Sequence, residues 1–183
     1  MNRSLAAAAA LLVLPLAACG EEAKTPKTAQ EVVAEAGKLD KPQPGQYQTT
    51  VKMLDFSVPG LPAEQAERLK GMIGNAGGET SSYCLTKAEA DKGFEDMVRK
   101  MSEGQGGLKC TFGRFDVNGG KIAAEMTCDG PQGMTSAMVL DGTATSQSTS
   151  MHMSMTQRAA MIPGGAMKME MQMDSRRTGD CAA

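Results

Sequence analysis

Met151, Met153 and Met155 alternate with other residues along the chain, and so do Met167, Met169, Met171 and Met173. Side chains on a strand point to opposite faces with a period of two, so each set occupies one face of a strand. The two runs flank Pro163-Gly164-Gly165 and read as one hairpin, with strands over residues 143–156 and 166–177. In that hairpin Met155 would pair with Met167, Met153 with Met169 and Met151 with Met171. The result is one continuous thioether surface. Composition says how it is used: the 183 residues hold 16 Met but only 4 Phe, 2 Tyr and no Trp. Met must therefore supply a large share of any core, and its flexible side chain fills irregular gaps. The expectation is a hydrophobic face packed against helices.

The same donors allow two other uses. Thioethers are soft ligands that select Cu(I) and, by the same softness, Ag(I). The candidate set is Met151, Met153, Met155, Met167, Met169, Met171 and Met173. His152 lies between two of them, but on a regular strand it points the other way. The alternative is a Met-lined cleft carrying a small apolar ligand, since flexible Met surfaces accommodate varied partners.

The remaining chain reads as an α+β domain. Residues 46–58 alternate as a strand through Tyr47, Thr49, Val51 and Met53, with a slip of phase near Asp55 that suggests a bulge. Pro59-Gly60-Leu61-Pro62 breaks it, and residues 63–73 form an amphipathic helix with Ala66, Leu69, Met72 and Ile73 on one face. Residues 79–84 are a short strand. Thr86 and Glu89 make a capping box, and the helix behind it carries Phe94, Met97, Val98 and Met101 toward the core. Residues 108–117 and 121–128 flank Asn118-Gly119-Gly120, a strong hairpin signal. A strand over residues 134–140 then leads to a turn at Asp141-Gly142. The expected fold is an antiparallel sheet of about six strands with two helices on one face and two disulfides, occupying residues 45–183.

The N-terminus reads as an address. Arg3 precedes an apolar run from Leu5 to Leu16, shorter than the roughly 20 residues of a membrane-spanning helix. It ends in Leu16-Ala17-Ala18-Cys19, which resembles the lipobox of bacterial lipoproteins. The resemblance implies cleavage after a signal peptide of residues 1–18 and lipidation of Cys19. Several acyl chains on one residue suffice for stable anchoring. Gly20, rather than Asp, follows Cys19, which by resemblance to enterobacterial lipoproteins implies the periplasmic face of the outer membrane. Residues 19–44 are rich in Glu, Lys, Ala and Pro. They read as a flexible tether, with a short helix over residues 30–39 that would be marginal alone.

The other cysteines agree with export. Cys84, Cys110, Cys128 and Cys181 are even in number, and none forms C-x-x-C. In an oxidising compartment they read as two disulfides. The preferred pairing is Cys84–Cys110 with Cys128–Cys181, because the first would staple the ends of a helical excursion. Cys110–Cys128 competes with it, because those two lie nearly opposite across the predicted hairpin.

Several motifs together resemble the domain-of-unknown-function 3617 family, small exported proteins common in proteobacteria. They are Pro44-Gly45-Gln46-Tyr47, Pro59-Gly60-Leu61-Pro62 and Tyr83-Cys84-Leu85-Thr86, then Cys110, Gly119-Gly120-Lys121-Ile122 and Thr127-Cys128. Arg176-Arg177-Thr178-Gly179-Asp180-Cys181 closes the set. Tyr47 stands where the family usually has Trp. The resemblance implies no activity, catalytic residue, cofactor or ligand.

Function classes narrow accordingly. A net charge of -2 leaves no basic footprint for nucleic acid. One His excludes a multi-His metal site within one chain. Asp116-Val117-Asn118-Gly119 begins like a calcium loop, but its twelfth position is Thr127 rather than Glu. Glu125 and Glu170 fall on strands, opposite in phase to the nearby Met residues. No nucleophile–base pair is identifiable, so a small hydrolase ranks last and the expectation is no enzyme. The first reading is a membrane-anchored, non-enzymatic binding or interaction module without a cofactor, its protein partner unknown. Its only named partner is the membrane, through the lipid.

Overall fold

The computed structural model describes residues 26–77, 80–104 and 107–182; the signal segment, Cys19 and the start of the expected tether lie outside them. Ten principal elements follow one another. They are α1 (Ala29–Ala36), β1 (Gly45–Ser57), α2 (Ala63–Gly77), β2 (Thr80–Leu85), α3 (Lys87–Ser102), β3 (Lys109–Asn118), β4 (Lys121–Asp129), β5 (Thr135–Ala144), β6 (Ser148–Arg158) and β7 (Ala166–Gly179). All strand pairs are antiparallel and make one seven-stranded sheet in the order β2-β1-β7-β6-β5-β4-β3. The α+β class and the two disulfides are as expected, and the sheet has seven strands and the domain three helices.

Local chemistry explains most boundaries. Thr86 caps α3: its hydroxyl accepts from the Glu89 amide, and the Glu89 carboxylate accepts from the Thr86 amide at 2.9 Å. Between β3 and β4, Gly119 and Gly120 have φ of 56° and 77°, the left-handed pair that a two-residue type I′ hairpin needs. The phase slip near Asp55 is a bulge, with register shifting between Met53 and Asp55 against β7. The inward stripe of α3 is Ala90, Phe94, Val98 and Met101, spaced four, four and three. Met97 sits at the margin of that stripe and is 54% exposed, not buried as the periodicity suggested.

Asp141-Gly142 is not a turn. β5 runs through it to Ala144, and the reversal comes at Thr145–Ser148, where the Thr145 hydroxyl accepts from the Gln147 and Ser148 amides. Gly142 instead lies inside a strand opposite Met151, where a side chain would collide with it. The last hairpin also pairs differently. Met155 faces Met169, Met153 faces Met171 and Met151 faces Met173, two residues from the expected register. The connection is longer than Pro163-Gly164-Gly165 alone, beginning after Arg158. A shift of two preserves the face.

The N-terminal segment does not behave as a tether over its described part. Lys27 bridges to Phe112 at the outer edge of β3, its amide donating to the Phe112 carbonyl at 2.8 Å. Thr28 and Glu31 form a second capping box that starts α1. Val32, Ala36 and Leu39 are then buried beside Val98 of α3 and the inner face of β3 and β4. The folded unit therefore begins near Lys27 rather than at residue 45. An eight-residue helix is marginal in water, and here tertiary packing holds it.

The disulfides are Cys84–Cys181 and Cys110–Cys128. The pairing of Cys84 with Cys110 fails on distance. β2 and β3 are the two edges of the sheet, and six strand spacings of about 4.8 Å separate them by roughly 29 Å. A disulfide needs Cα atoms within about 7 Å. The helical excursion carries the chain across the sheet instead of returning it, in the 16 residues of α3, which break at Gly93 (φ 62°) into two helical pieces. Cys110 and Cys128 are directly opposed in the β3–β4 register, 4.0 Å apart at Cα. Cys84 and Cys181 meet because Gln46 of β1 is flanked by Cys84 on one side and Gly179 on the other.

Candidate functional site

Period-two alternation on six strands, interrupted by bulges between Met53 and Asp55 on β1 and between Phe112 and Arg114 on β3, builds the inner face in rows. One row runs Val51, Met173, Met151, Gly142, Ile122, Val117 from β1 to β3. The next runs Met53, Met171, Met153, Leu140, Ala124, Phe115, and the third Phe56, Met169, Met155, Met138, Met126, Phe112. The large aromatic and branched residues collect on β3 and β4. The thioethers collect on β7 and β6, with Met53 beside them on β1 between Val51 and Phe56, and Met126 and Met138 join the two regions.

Two separate covers lie on this face. α1 and α3 cover the β3 end, and the buried cluster there includes Phe112, Phe115, Ile122, Met126, the Cys110–Cys128 disulfide and Met151, with Met138, Leu140 and Met173 against it. α2 contributes Leu69 to a smaller cluster of Phe56, Val58 and Met169, against which Met53, Met155 and Met167 pack. Met153 and Met171, the central pair of the middle row, belong to neither cluster and are partly exposed. The seven Met residues singled out from the sequence are thus brought onto one face. Six of them divide into one pair under each cover and one pair between them, and Met167, opposite Gln157, packs against the smaller cluster. Met53 completes the middle row and was missed. Its alternation with Val51 was legible, but placing β1 beside β7 requires a strand order that local pattern does not contain.

The outer face is polar. His152 projects there, away from the thioethers, between Asp141 on β5 and Gln172 on β7. Its Nε2 lies 3.9 Å from Glu170 Oε2, both side chains being about half exposed, which is beyond hydrogen-bond reach. Nearby, the Ser150 hydroxyl donates to Asp174 Oδ1 at 2.7 Å, and the Gln172 amide donates to both at 3.0 Å. The Ser150 bond, then Gln172, hold the Asp174 carboxyl below its ordinary range. At the β3 end, Arg114 first and Lys27 second do the same for Asp116. These are structural pairings on a wet sheet face. Among the described residues no group of three or more His, Cys, Asp or Glu converges so as to hold a metal.

Near the start of the domain Tyr47 is buried, and its ring stacks on Tyr83 at a centroid distance of 5.6 Å. Its hydroxyl is 2.8 Å from the Gln43 carbonyl and 3.2 Å from that of Ser146. Burial raises its pKa. Tyr47 thus anchors the β2–β1 edge as a larger aromatic would, with its polar end satisfied.

Three of the motifs that carry the family resemblance meet at this edge: Pro44–Tyr47 opens β1, Tyr83–Thr86 joins β2 to α3, and the last motif ends in the Cys84–Cys181 bridge; the others fall between β1 and α2 and on the β3–β4 hairpin. Residues 42–181 match the family described as "Protein of unknown function (DUF3617)". The chain belongs to this family. No curated protein matches, and no solved structure matches. Membership in DUF3617 covers the whole sheet and leaves Lys27 and α1 as an N-terminal addition to the matched region. No activity comes with it.

Proposed function

We propose that this DUF3617 protein is a lipid-anchored envelope lipoprotein, cleaved before Cys19 and held at the periplasmic face of the outer membrane. Its domain serves as a non-enzymatic binding or interaction module. One observation supports the anchor above others. The chain has five cysteines, and the four in the domain are spent in two disulfides. Cys19 is the one left over, and it ends the Leu16-Ala17-Ala18-Cys19 sequence that a lipidating pathway reads. The disulfides agree with an oxidising compartment. The non-enzymatic reading rests on the polar face, where the single histidine and its nearest carboxylate are half-exposed and not hydrogen-bonded.

The test is expression of the full chain in a proteobacterial host with radiolabelled fatty acid, followed by intact-mass measurement and membrane fractionation. The expected result is label on a chain that begins at Cys19 and sediments with outer membrane, both lost in Cys19→Ser. An unlabelled chain released after Ala18 into the soluble periplasm would overturn the anchor. Label with sedimentation in the inner membrane would overturn only the outer-membrane assignment.

A further inference from the structure

We infer that the uncovered pair Met153 and Met171, with Met53 beside it at the margin of the α2 cluster, is a binding site for one soft monovalent cation, Cu(I) or Ag(I). The three residues sit on consecutive strands β1, β7 and β6, directly opposite one another and on one face. Cross-strand neighbours of this kind have Cβ atoms about 5 Å apart. The Met side chain has three rotatable bonds. Three thioether sulfurs from such a row can therefore swing toward a common point without moving the backbone.

Coverage singles out this row. Of the thioether pairs across β6 and β7, Met151 with Met173 lies in the cluster under α1 and α3, and Met155 with Met169 lies in the cluster under α2, at whose margin Met53 also packs. Met153 and Met171 pack into neither buried cluster and keep partial access to solvent. A face that needed only apolar filler is built at the β3 end from Phe112, Phe115, Val117 and Ile122. At the other end the chain places thioether opposite thioether in three successive pairs across β6 and β7.

The donor chemistry fixes the ion class. All four domain cysteines are in disulfides, so they offer no thiolate. His152 is on the opposite face, paired in register with Asp141 and Gln172. A site made of thioethers alone is too soft for Zn²⁺ or Ca²⁺ and suits Cu(I) or Ag(I). Thioethers carry no proton to lose, so affinity should not change between pH 5 and pH 8, unlike that of imidazole or thiolate sites. The inference does not depend on the lipid anchor.

The test uses the full chain carrying Cys19→Ser in detergent, with both disulfides oxidised. Cu(I) kept reduced by ascorbate is titrated against a chromophoric Cu(I) chelator, and Ag(I) is added to protein carrying ¹³C-methyl methionine. The expected result is one ion per chain, equal affinity at pH 5 and pH 8, and methyl shifts confined to Met53, Met153, Met171 and their row neighbours. Met153→Leu and Met171→Leu, which conserve volume, should each weaken binding at least tenfold. Met72→Leu and Met161→Leu, at residues 74% and 75% exposed, should leave it unchanged. No retained ion, retention undiminished in the Met153→Leu/Met171→Leu double variant, or shifts centred on Met72 and Met161 would each overturn the site. If a Leu variant fails to fold, the methyl shifts of the parent chain still decide.

Discussion

Gly142 and Met151 face each other across β5 and β6, and a Cβ built on Gly142 would stand 2.5 Å from the Met151 sulfur and 2.9 Å from its Cα. The glycine leaves the space that one of the two most deeply buried thioethers on this face occupies. Gly142→Ala should therefore destabilise the domain by about 2 kcal/mol through overpacking, although alanine suits a strand no worse than glycine. Urea unfolding measures it. An unchanged midpoint would mean that β5 and β6 are not in this register.

Val32 is fully buried in a segment whose composition reads as a linker. Val32→Ala removes two methyl groups from the contact between α1 and α3 and should cost about 2 kcal/mol, the cavity included. Deletion up to residue 40 should expose the face around Val98 and Phe112 and cost several times more. If neither change moved the unfolding midpoint, α1 would contribute nothing to the domain.

Two linked peptides are expected after non-reducing proteolysis, one joining Cys84 to Cys181 and one joining Cys110 to Cys128. Their sequence separations are 97 and 18 residues. On loop closure alone these are worth about 4.7 and 3 kcal/mol, so the double Cys84→Ala/Cys181→Ala variant should lose the larger share of unfolded-state restraint. A peptide joining Cys84 to Cys110 would contradict the strand order itself.

Several carboxyls titrate below their ordinary range for stated reasons. Glu31 accepts from the Thr28 amide first and its hydroxyl second, Glu89 from the Thr86 hydroxyl and then its amide. Asp96 is held by Lys100, Asp116 by Arg114 and Asp174 by Ser150. A carboxyl depressed in the folded state stabilises fully above its unfolded pKa and loses that contribution as pH falls through the folded value. The thermal midpoint should be nearly flat from pH 7 to about 5 and fall below about 4. Asp174→Asn should shallow that fall. A midpoint that rises on acidification would contradict these pairings.

What could be read from the chain was local. The capping box at Thr86, the paired glycines after Asn118 and the two-residue Met period each report on a few adjacent residues, and each placed its element. What could not be read depended on distant partners. Asp141-Gly142 carries a turn's chemistry, but Met151 on the next strand needs the space and β5 continues. The short helix over residues 30–39 was visible, yet nothing nearby says that Val98 lies ready to receive it. The pairing of Cys84 with Cys181 follows from β1 lying between β2 and β7, a contact between the start and the end of the domain. Met53 entered the candidate site for the same reason: its partner Met171 is 118 positions away.

The bridge from Lys27 to the β3 edge makes the first described part of the chain a store of slack. Packed, the stretch from Lys27 to Pro44 lies folded across the domain, held by backbone bonds at Lys27 and Gln43, by side-chain bonds from Lys27 and Lys41, and by the buried Val32, Ala36 and Leu39. Peeled, those 18 residues could pay out to roughly 60 Å without disturbing a strand. Tension applied on the N-terminal side meets this segment before it meets the sheet. The domain's reach therefore depends on how firmly Val32, Ala36 and Leu39 are seated and on the bonds at Lys27 and Gln43, so a change in those contacts alters how far the sheet can travel from whatever holds its leading end.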